Sequence, residues 1–178
     1  MPIGSWSAFT RVVQGMCATN PKSVLDLGIG YGMNGAAVRN WLDVGVYRNI
    51  HLEGVEVFKD YKSPLWGCYD KVHNTTIEKF FETDKRNFDL IIMTDVIEHF
   101  PKEEGLRLLR LMKQRCNKAV MVSTPAVWIE QGSYMGNDYE EHKSFWDASD
   151  FVREGYGLIM DGRLDQFGHM MILADYIR

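Results

Sequence analysis

The chain has 178 residues, of which 46% are apolar and 25% charged, a composition that predicts a globular domain and excludes an intrinsically disordered protein. Its 24 acidic and 20 basic side chains give a formal net charge of -4 without a basic block, which argues against a nucleic-acid partner. The three cysteines lie far apart, and this spacing fits neither a disulfide framework nor a paired zinc site.

The sequence also gives an expectation for where the protein works. No apolar run reaches the roughly 20 residues that a membrane span requires. The first nine residues lack the basic-then-apolar layout of a signal peptide. We therefore expect a soluble, cytoplasmic protein with no membrane partner.

Short apolar runs alternate with amphipathic stretches along the first two thirds of the chain, a pattern that predicts an α/β fold with a parallel sheet. The predicted helices cover residues 6–18 and 102–115, and three others begin near Met33, Lys59 and Ile77. The predicted strands cover residues 23–27, 50–56, 69–73, 88–94 and 118–123.

The periodic pattern stops in residues 124–146, which combine two glycines with Asn, Asp and aromatic residues. This stretch is longer than an ordinary connection, and such loops usually carry function. We therefore predict that it forms a loop on the substrate side of the protein. Its aromatic residues Trp128, Tyr134, Tyr139 and Trp146 are predicted to close over an organic substrate.

The last part of the chain returns to regular structure. A helix is predicted over residues 146–154 and strands over residues 158–160 and 170–176. Residues 165–168 have the composition of a tight turn, which makes the last strand antiparallel to its neighbours. Because no linker interrupts the pattern, residues 1–178 are predicted to form a single domain, with residues 1–20 as an N-terminal helix and lid.

The most informative segment is residues 24–32, which read Val-Leu-Asp-Leu-Gly-Ile-Gly-Tyr-Gly. Gly28, Gly30 and Gly32 would let the backbone turn sharply between a strand and a helix and approach a ligand closely. With Gly35, however, the same glycines also match the dinucleotide fingerprint, and Glu53 and Glu56 lie at about the right distance downstream. The glycines alone therefore leave a nicotinamide cofactor open.

Asp26 favours a different ligand. A carboxylate at the end of the first strand would repel a pyrophosphate, but it would attract the ammonium and sulfonium groups of S-adenosylmethionine. The turn also starts at Gly28, directly after the strand, whereas the dinucleotide register would leave that glycine inside the strand. Both observations favour S-adenosylmethionine.

At this point the chain resembles the class I S-adenosylmethionine-dependent methyltransferases. The resemblance rests on residues 24–32, on residues 54–58 (Gly-Val-Glu-Val-Phe) and on residues 88–100, which end in Asp-Val-Ile-Glu-His-Phe. It implies a Rossmann-like sandwich, with a mostly parallel seven-stranded sheet, an antiparallel last strand and helices on both faces. The final phrase is most similar to the branch that methylates small molecules, such as the ubiquinone-biosynthesis type.

The resemblance also implies roles for individual residues. Gly28, Gly30 and Gly32 would pack under the methionine part of the cofactor, and Asp26 would contact its amino group. Glu56 would accept hydrogen bonds from both ribose hydroxyls. The remaining cofactor-binding positions are Val57 and Ile77 against the adenine, Thr76 in place of the usual adenine-binding acid, and Asp95 near the site of methyl transfer. Threonine is also a common helix N-cap, so the sequence leaves open whether Thr76 contacts the adenine or caps the next helix.

Two histidines are candidates for proton transfer. His99 follows the fourth strand within one turn, and neutral imidazole suits a general base near pH 7. His142 lies in a segment that resembles one found after the fifth strand of small methyltransferases. No metal is expected, because Ser123, Thr124 and Pro125 stand where the metal-dependent catechol-type enzymes have an Asp-Asn pair.

These observations predict metal-independent methyl transfer to a small molecule, with an oxygen or nitrogen acceptor favoured over carbon. Two alternatives stay open: a non-catalytic protein that binds S-adenosylmethionine or a partner on the same fold, and, with less support, a nicotinamide-dependent oxidoreductase. The sequence leaves open whether the chain forms a homo-oligomer.

Overall fold

A computed structural model describes residues 6–44, 48–164 and 170–178 of the chain. These residues form five α-helices: α1 (Trp6–Thr19), α2 (Met33–Ala37), α3 (Ile77–Thr83), α4 (Lys102–Arg115) and α5 (Ala148–Arg153). They also form seven strands: β1 (Ser23–Leu27), β2 (His51–Glu56), β3 (Lys71–Asn74), β4 (Phe88–Thr94), β5 (Cys116–Pro125), β6 (Gly157–Leu164) and β7 (Met170–Ile177).

The seven strands form one sheet in the order β3-β2-β1-β4-β5-β7-β6. The first five strands are parallel, whereas β7 runs antiparallel to both β5 and β6. The predicted fold class is therefore confirmed, including the antiparallel last strand. The predicted turn at residues 165–168 lies outside the described residues.

Helices cover both faces of the sheet, and each face has its own core. On one face, Val12 and Met16 of α1 pack on Leu90 and Ile92 of β4. On the other face, α3, α4 and α5 pack on residues such as Ile91 of the same strand. This two-sided burial explains why β4 is almost continuously apolar in sequence.

The prediction of a helix beginning near Lys59 is wrong. Residues Lys59–Tyr61 and Pro64–Cys68 form two short 3₁₀ segments instead. Lys62 has a φ of 43° in the left-handed region between them, and Pro64 has no backbone N–H to continue a helix. The third strand consequently begins at Lys71, two residues later than predicted.

The helix predicted over residues 146–154 begins later, at Ala148, because Asp147 forms a capping box with Asp150. Trp146 is fully buried beneath α4, where it contacts Gly105. Its predicted role over a substrate is therefore wrong, since its ring belongs to the core.

The edge strand β6 is irregular. Its pairing with β7 shifts register twice, and Gly162 has a φ of 86°. Asp161 and Arg163 form an exposed ion pair on either side of this glycine. Over the described residues, no helix has the length and apolar character needed to cross a membrane.

Candidate functional site

A cavity of about 290 Å³ lies at the carboxyl ends of β1, β2 and β4, the edge at which α/β sheets place their ligands. α1 contributes Ala8, Phe9 and Val12 to its wall, and the segment after β5 contributes Tyr139, Glu140 and Lys143. The N-terminal helix and the long loop, which the sequence placed near the substrate, thus both reach this cavity.

The cavity brings together most of the residues that the sequence singled out. Those on its wall are Gly28, Gly30, Glu56, Val57, Thr76, Ile77, Asp95 and His99. Asp26, Gly32 and His142 do not line it. Asp26 lies beneath the glycine turn, Gly32 of the turn faces Leu65, and His142 lies beside His99.

The glycine turn has the backbone conformation that its sequence predicts. Gly28, Gly30 and Gly32 have φ values of 72°, 49° and 88°, a region that other residues rarely adopt. The backbone N–H groups of Gly28 and Ile29 both donate to the carbonyl of Val55 in β2. The turn is therefore fixed against the neighbouring strand and presents bare backbone to the cavity.

Glu56 ends β2 and its carboxylate lies on the cavity wall, 5% exposed. Oε2 accepts from the N–H of Gly30 at 2.9 Å, and Oε1 accepts from the N–H of Phe58 at 2.8 Å. Burial raises the pKa of this carboxyl. Each oxygen keeps a second lone pair, so Glu56 is fixed in place and can still accept from a diol.

Asp26 lies beneath the turn, where Tyr69 donates to Oδ2 at 2.6 Å and Asn34 donates to Oδ1 at 3.1 Å. Burial raises the pKa of Asp26 from 3.8 to about 6. Asn34 lines the cavity and also donates to Thr94 Oγ1 at 2.9 Å. Asp26 is therefore connected to the cavity through Asn34.

The raised pKa of Asp26 gives a testable pH dependence. The folded chain holds this proton up to about pH 6, whereas the unfolded chain loses it near 3.8. Compared with Asp26→Asn, which cannot ionise, the wild type therefore loses up to about 3 kcal/mol of unfolding free energy as the pH rises from below 4 to 7. Urea denaturation of both proteins at pH 4 and pH 7 measures this change. An equal difference at both pH values would contradict the assignment.

The third segment of the site lies between β3 and α3. Thr76 caps α3 by accepting from the N–H of Lys79 at 3.3 Å, one of the two roles that the sequence allowed. Thr75 and Ile77 also line the cavity. Glu78 supplies a carboxylate two residues after the position where the family resemblance implies an acid. The spacing of the family motif indicates residue 76, so it did not single out Glu78.

Asp95 follows β4 in the left-handed region, with a φ of 53° that is uncommon outside glycine. Its Oδ1 accepts from Ser123 Oγ at 3.1 Å, and its N–H donates to the carbonyl of Ser123 at 2.9 Å. These two hydrogen bonds to Ser123 stabilise the left-handed conformation of Asp95. The chain then enters the 3₁₀ turn that contains His99.

His99 and His142 face one another, with ring centroids 5.0 Å apart. His99 Nδ1 lies 3.2 Å from the carbonyl of Glu141, and His142 Nδ1 lies 2.7 Å from the carbonyl of Ile129. Burial lowers the pKa of His99, so its imidazole is neutral near pH 7. The two predicted histidines thus come together although 43 residues separate them.

Two other acids, which the sequence did not single out, belong to this region. Glu98 is buried, and its pKa is raised well above the ordinary value by burial and by the charge of Asp95. Glu140 lines the cavity and accepts from the hydroxyl of Tyr61 at 2.6 Å. Tyr61 precedes Glu140 by 79 residues, so no local pattern could have connected them.

The predicted aromatic cover is only partly formed. Tyr139 lies on the cavity wall, whereas Trp128 and Tyr134 do not. Trp128 instead lies 6.4 Å from the ring of His142. Of the four predicted aromatic residues, Tyr139 is thus the one that borders the cavity.

The sheet order, the glycine turn and the acid that ends β2 define the fold of a class I S-adenosylmethionine-dependent methyltransferase. Residues 9–155 match the family described as "Methyltransferase domain", and the chain belongs to that family. S-adenosylmethionine is the cofactor of this class. No curated protein matches the chain in sequence.

Solved structures share the fold. A S-adenosylmethionine-dependent methyltransferase from Archaeoglobus fulgidus has a TM-score of 0.67 and 14% identity, with 97% of this chain and 92% of that chain covered. The 1,6-didemethyltoxoflavin N1-methyltransferase of Burkholderia thailandensis, with bound 1,6-didemethyltoxoflavin and S-adenosylhomocysteine, has a TM-score of 0.64 and 14% identity, with 96% and 78% covered. An O-methyltransferase family protein from the same organism has a TM-score of 0.59 and 13% identity, with 94% of this chain and 57% of that chain covered. The chain thus spans less than two thirds of that last protein.

The residues present fit the cofactor of the class. A Cβ at Gly28 would lie 2.4 Å from Val96 Cγ2, so the turn is packed as closely as a backbone without side chains allows. Glu56 offers two fixed acceptor oxygens to a diol, and Ile77 and Val57 offer apolar surface to an aromatic base. The adenosine part would therefore be held by β2 and α3, and the methionine part by the glycine turn.

Proposed function

We propose that the protein transfers the methyl group of S-adenosylmethionine to a hydroxyl or amine of a small molecule. One observation carries this proposal: a single cavity has the glycine turn and Glu56 on one part of its wall and Asp95 and His99 on another. A donor and an acceptor held there would meet beside the carboxyl end of β4.

The charges on the cavity wall favour a neutral or cationic acceptor. Among the described residues, five carboxylates line it against one lysine, Lys143; the acids are Glu56, Glu78, Asp95, Glu104 and Glu140. A phosphate-rich acceptor such as a nucleic acid would be repelled by this wall.

When bound, the cofactor supplies an electrophilic methyl group on a positively charged sulfur. The chain's own residues mainly position the acceptor and exclude water, which is where most of the rate gain of such a displacement arises. Tyr139 and α1 border the space in which an acceptor would lie. His99, with His142 beside it, is a neutral base that can act on the proton of a hydroxyl or amine.

We further propose that the chain works as one domain, with residues 1–20 as a lid and residues 124–146 on the substrate side. The contributions of Ala8, Phe9, Tyr139 and Lys143 to the cavity wall support both assignments. A reducing compartment such as the cytoplasm suits the three cysteines, which are all free thiols. The likeness to ubiquinone-biosynthesis enzymes stays a prediction.

The proposal is tested by incubating the purified protein with methyl-labelled S-adenosylmethionine and a panel of neutral and cationic phenols, alcohols and amines. We expect labelled product from one acceptor class and at least a tenfold lower rate for the double variant His99→Ala/His142→Ala, within the range of general-base effects. Binding of S-adenosylhomocysteine without any transfer would favour the non-catalytic alternative. Unchanged turnover in the double variant would remove the two histidines from the mechanism.

A further inference from the structure

Three side chains of metal-binding type converge at the rim of the cavity. One carboxylate oxygen of Glu98 and one ring nitrogen each of His99 and His142 all lie within 4.8 Å of one another. Glu98 and His99 belong to the 3₁₀ turn after β4, and His142 belongs to the loop after β5. This cluster lies away from the two strand ends at which the catechol-type enzymes bind their metal, and those strand ends were the basis for expecting no metal.

Both imidazoles are oriented to bind a cation. A carbonyl oxygen can only accept, so the contacts of His99 Nδ1 with Glu141 and of His142 Nδ1 with Ile129 place the proton on Nδ1. Each ring then has its lone pair on Nε2. A backbone carbonyl that fixes the tautomer in this way is the usual support of a metal-binding histidine.

Glu98 is suited to complete the site. Its side chain is buried, and Thr124 Oγ1 donates to Oε2 at 3.0 Å. In the described part of the chain, no lysine or arginine forms an ion pair with this carboxylate. Burial disfavours the charged form of this carboxyl, and a cation bound beside it would stabilise that form.

The backbone holds the ligands together before any ion binds. The N–H groups of Lys143 and Ser144 both donate to the carbonyl of Glu98, at 2.8 and 3.1 Å. The residue next to His142 is therefore tied to the residue next to His99. This connection fixes the loop ligand against the turn ligands.

We propose that Glu98, His99 and His142 bind one divalent transition-metal ion at the rim of the cavity. Two imidazole nitrogens and one carboxylate suit Zn²⁺, Mn²⁺, Fe²⁺ or Co²⁺ rather than Mg²⁺ or Ca²⁺, which prefer oxygen ligands. Three protein ligands leave coordination positions open, as in catalytic rather than structural sites.

The role of the ion rests on the proposed methyl transfer. Because His99 lines the cavity, an acceptor oxygen can reach an open coordination position. A hydroxyl bound there loses its proton to water more readily than a free one, since the ion stabilises the anion. With the ion bound, the two histidines act on the acceptor through the ion, and the role of His99 as a neutral base applies to the protein without metal. Methyl transfer would then depend on the metal, contrary to the expectation from the sequence.

The binding site is tested without any activity assay. Untagged protein is stripped with EDTA, dialysed and titrated with Co²⁺, which is followed by visible absorption and by calorimetry. We expect one Co²⁺ per chain with the visible bands of a nitrogen-ligated ion, displaced by Zn²⁺ but not by Mg²⁺. Glu98→Gln, His99→Ala and His142→Ala should each weaken binding at least tenfold. His51→Ala is the matched control, because this exposed histidine pairs with Glu53 at the start of β2 and should leave Co²⁺ binding unchanged.

Glu98→Gln keeps the acceptor for Thr124 and the shape of the side chain, so it tests the ligand even if an alanine variant fails to fold. Absence of a stoichiometric Co²⁺ spectrum, or equal affinity in the wild type and the folded ligand variants, overturns the proposal. Titration of the metal-free wild type with S-adenosylhomocysteine distinguishes failure of the proposed metal site from failure of the proposed methyltransferase function. Retained cofactor binding without Co²⁺ binding rejects the metal site alone, whereas loss of cofactor binding rejects the proposed function.

Discussion

Replacing Glu56 by glutamine should lower the affinity for S-adenosylhomocysteine about 100-fold. Both Glu56 oxygens already accept from backbone N–H groups, those of Gly30 and Phe58. A glutamine has one oxygen, so its amide nitrogen must face one of these donors and the side chain must move. Loss of two hydrogen bonds between a charged acceptor and a diol removes about 3 kcal/mol of binding free energy, which corresponds to this factor. Isothermal titration calorimetry measures it.

The matched control is Glu104→Gln. Glu104 also lines the cavity, but it is exposed and lies on α4, away from the glycine turn. The substitution removes the same charge from the same cavity, and we expect it to leave the affinity for S-adenosylhomocysteine unchanged. If both variants weakened binding equally, the effect of Glu56 would come from net charge and not from contact with the ribose.

Replacing Gly28 by alanine should cost about 2–4 kcal/mol of unfolding free energy and lower cofactor affinity at least tenfold. The left-handed φ of 72° costs about 1 kcal/mol by itself. The new Cβ would lie 2.4 Å from Val96 Cγ2, and such overpacking adds about 1–3 kcal/mol. Because Gly28 lines the cavity and Val96 precedes the turn with His99, any relaxation also displaces the site.

Gly136→Ala separates the two causes of this loss. Gly136 has a similar φ of 79°, but a Cβ there meets no atom within 4 Å. We expect only the backbone cost of about 1 kcal/mol, the same as at Gly28, with unchanged cofactor binding. Urea denaturation of both variants gives the comparison. Equal destabilisation would show that contact with Val96 contributes nothing.

The sequence predicts the fold well wherever local patterns decide the structure. Strands β1 and β4 have the predicted bounds, and α4 does too, because their apolar periodicity agrees with their burial. The failures have local causes that periodicity does not register. Lys62 and Pro64 interrupt the helix predicted near Lys59, and a capping box moves the start of α5.

The site is predictable only in part. Some of its residues belong to local motifs, whereas others meet only through contacts between segments that are far apart in sequence. The glycine turn and Glu56 follow strands directly, so spacing alone indicates them. The hydrogen bonds between Glu98 and Lys143, and between Tyr61 and Glu140, join residues that are far apart in sequence. The sequence could name His99 and His142 separately, but it could not place Glu98 beside them or Trp146 in the core.

The irregular edge strand β6 has a consequence for association between copies of the chain. A regular edge strand presents a row of free N–H and C=O groups to which a second chain can add by backbone pairing, and proteins commonly protect such edges with bulges and charges. The two register shifts, the left-handed glycine and the exposed Asp161–Arg163 pair provide both forms of protection. Sheet extension at β6 is therefore disfavoured. The same irregular pairing and exposed charges also disfavour aggregation through this edge.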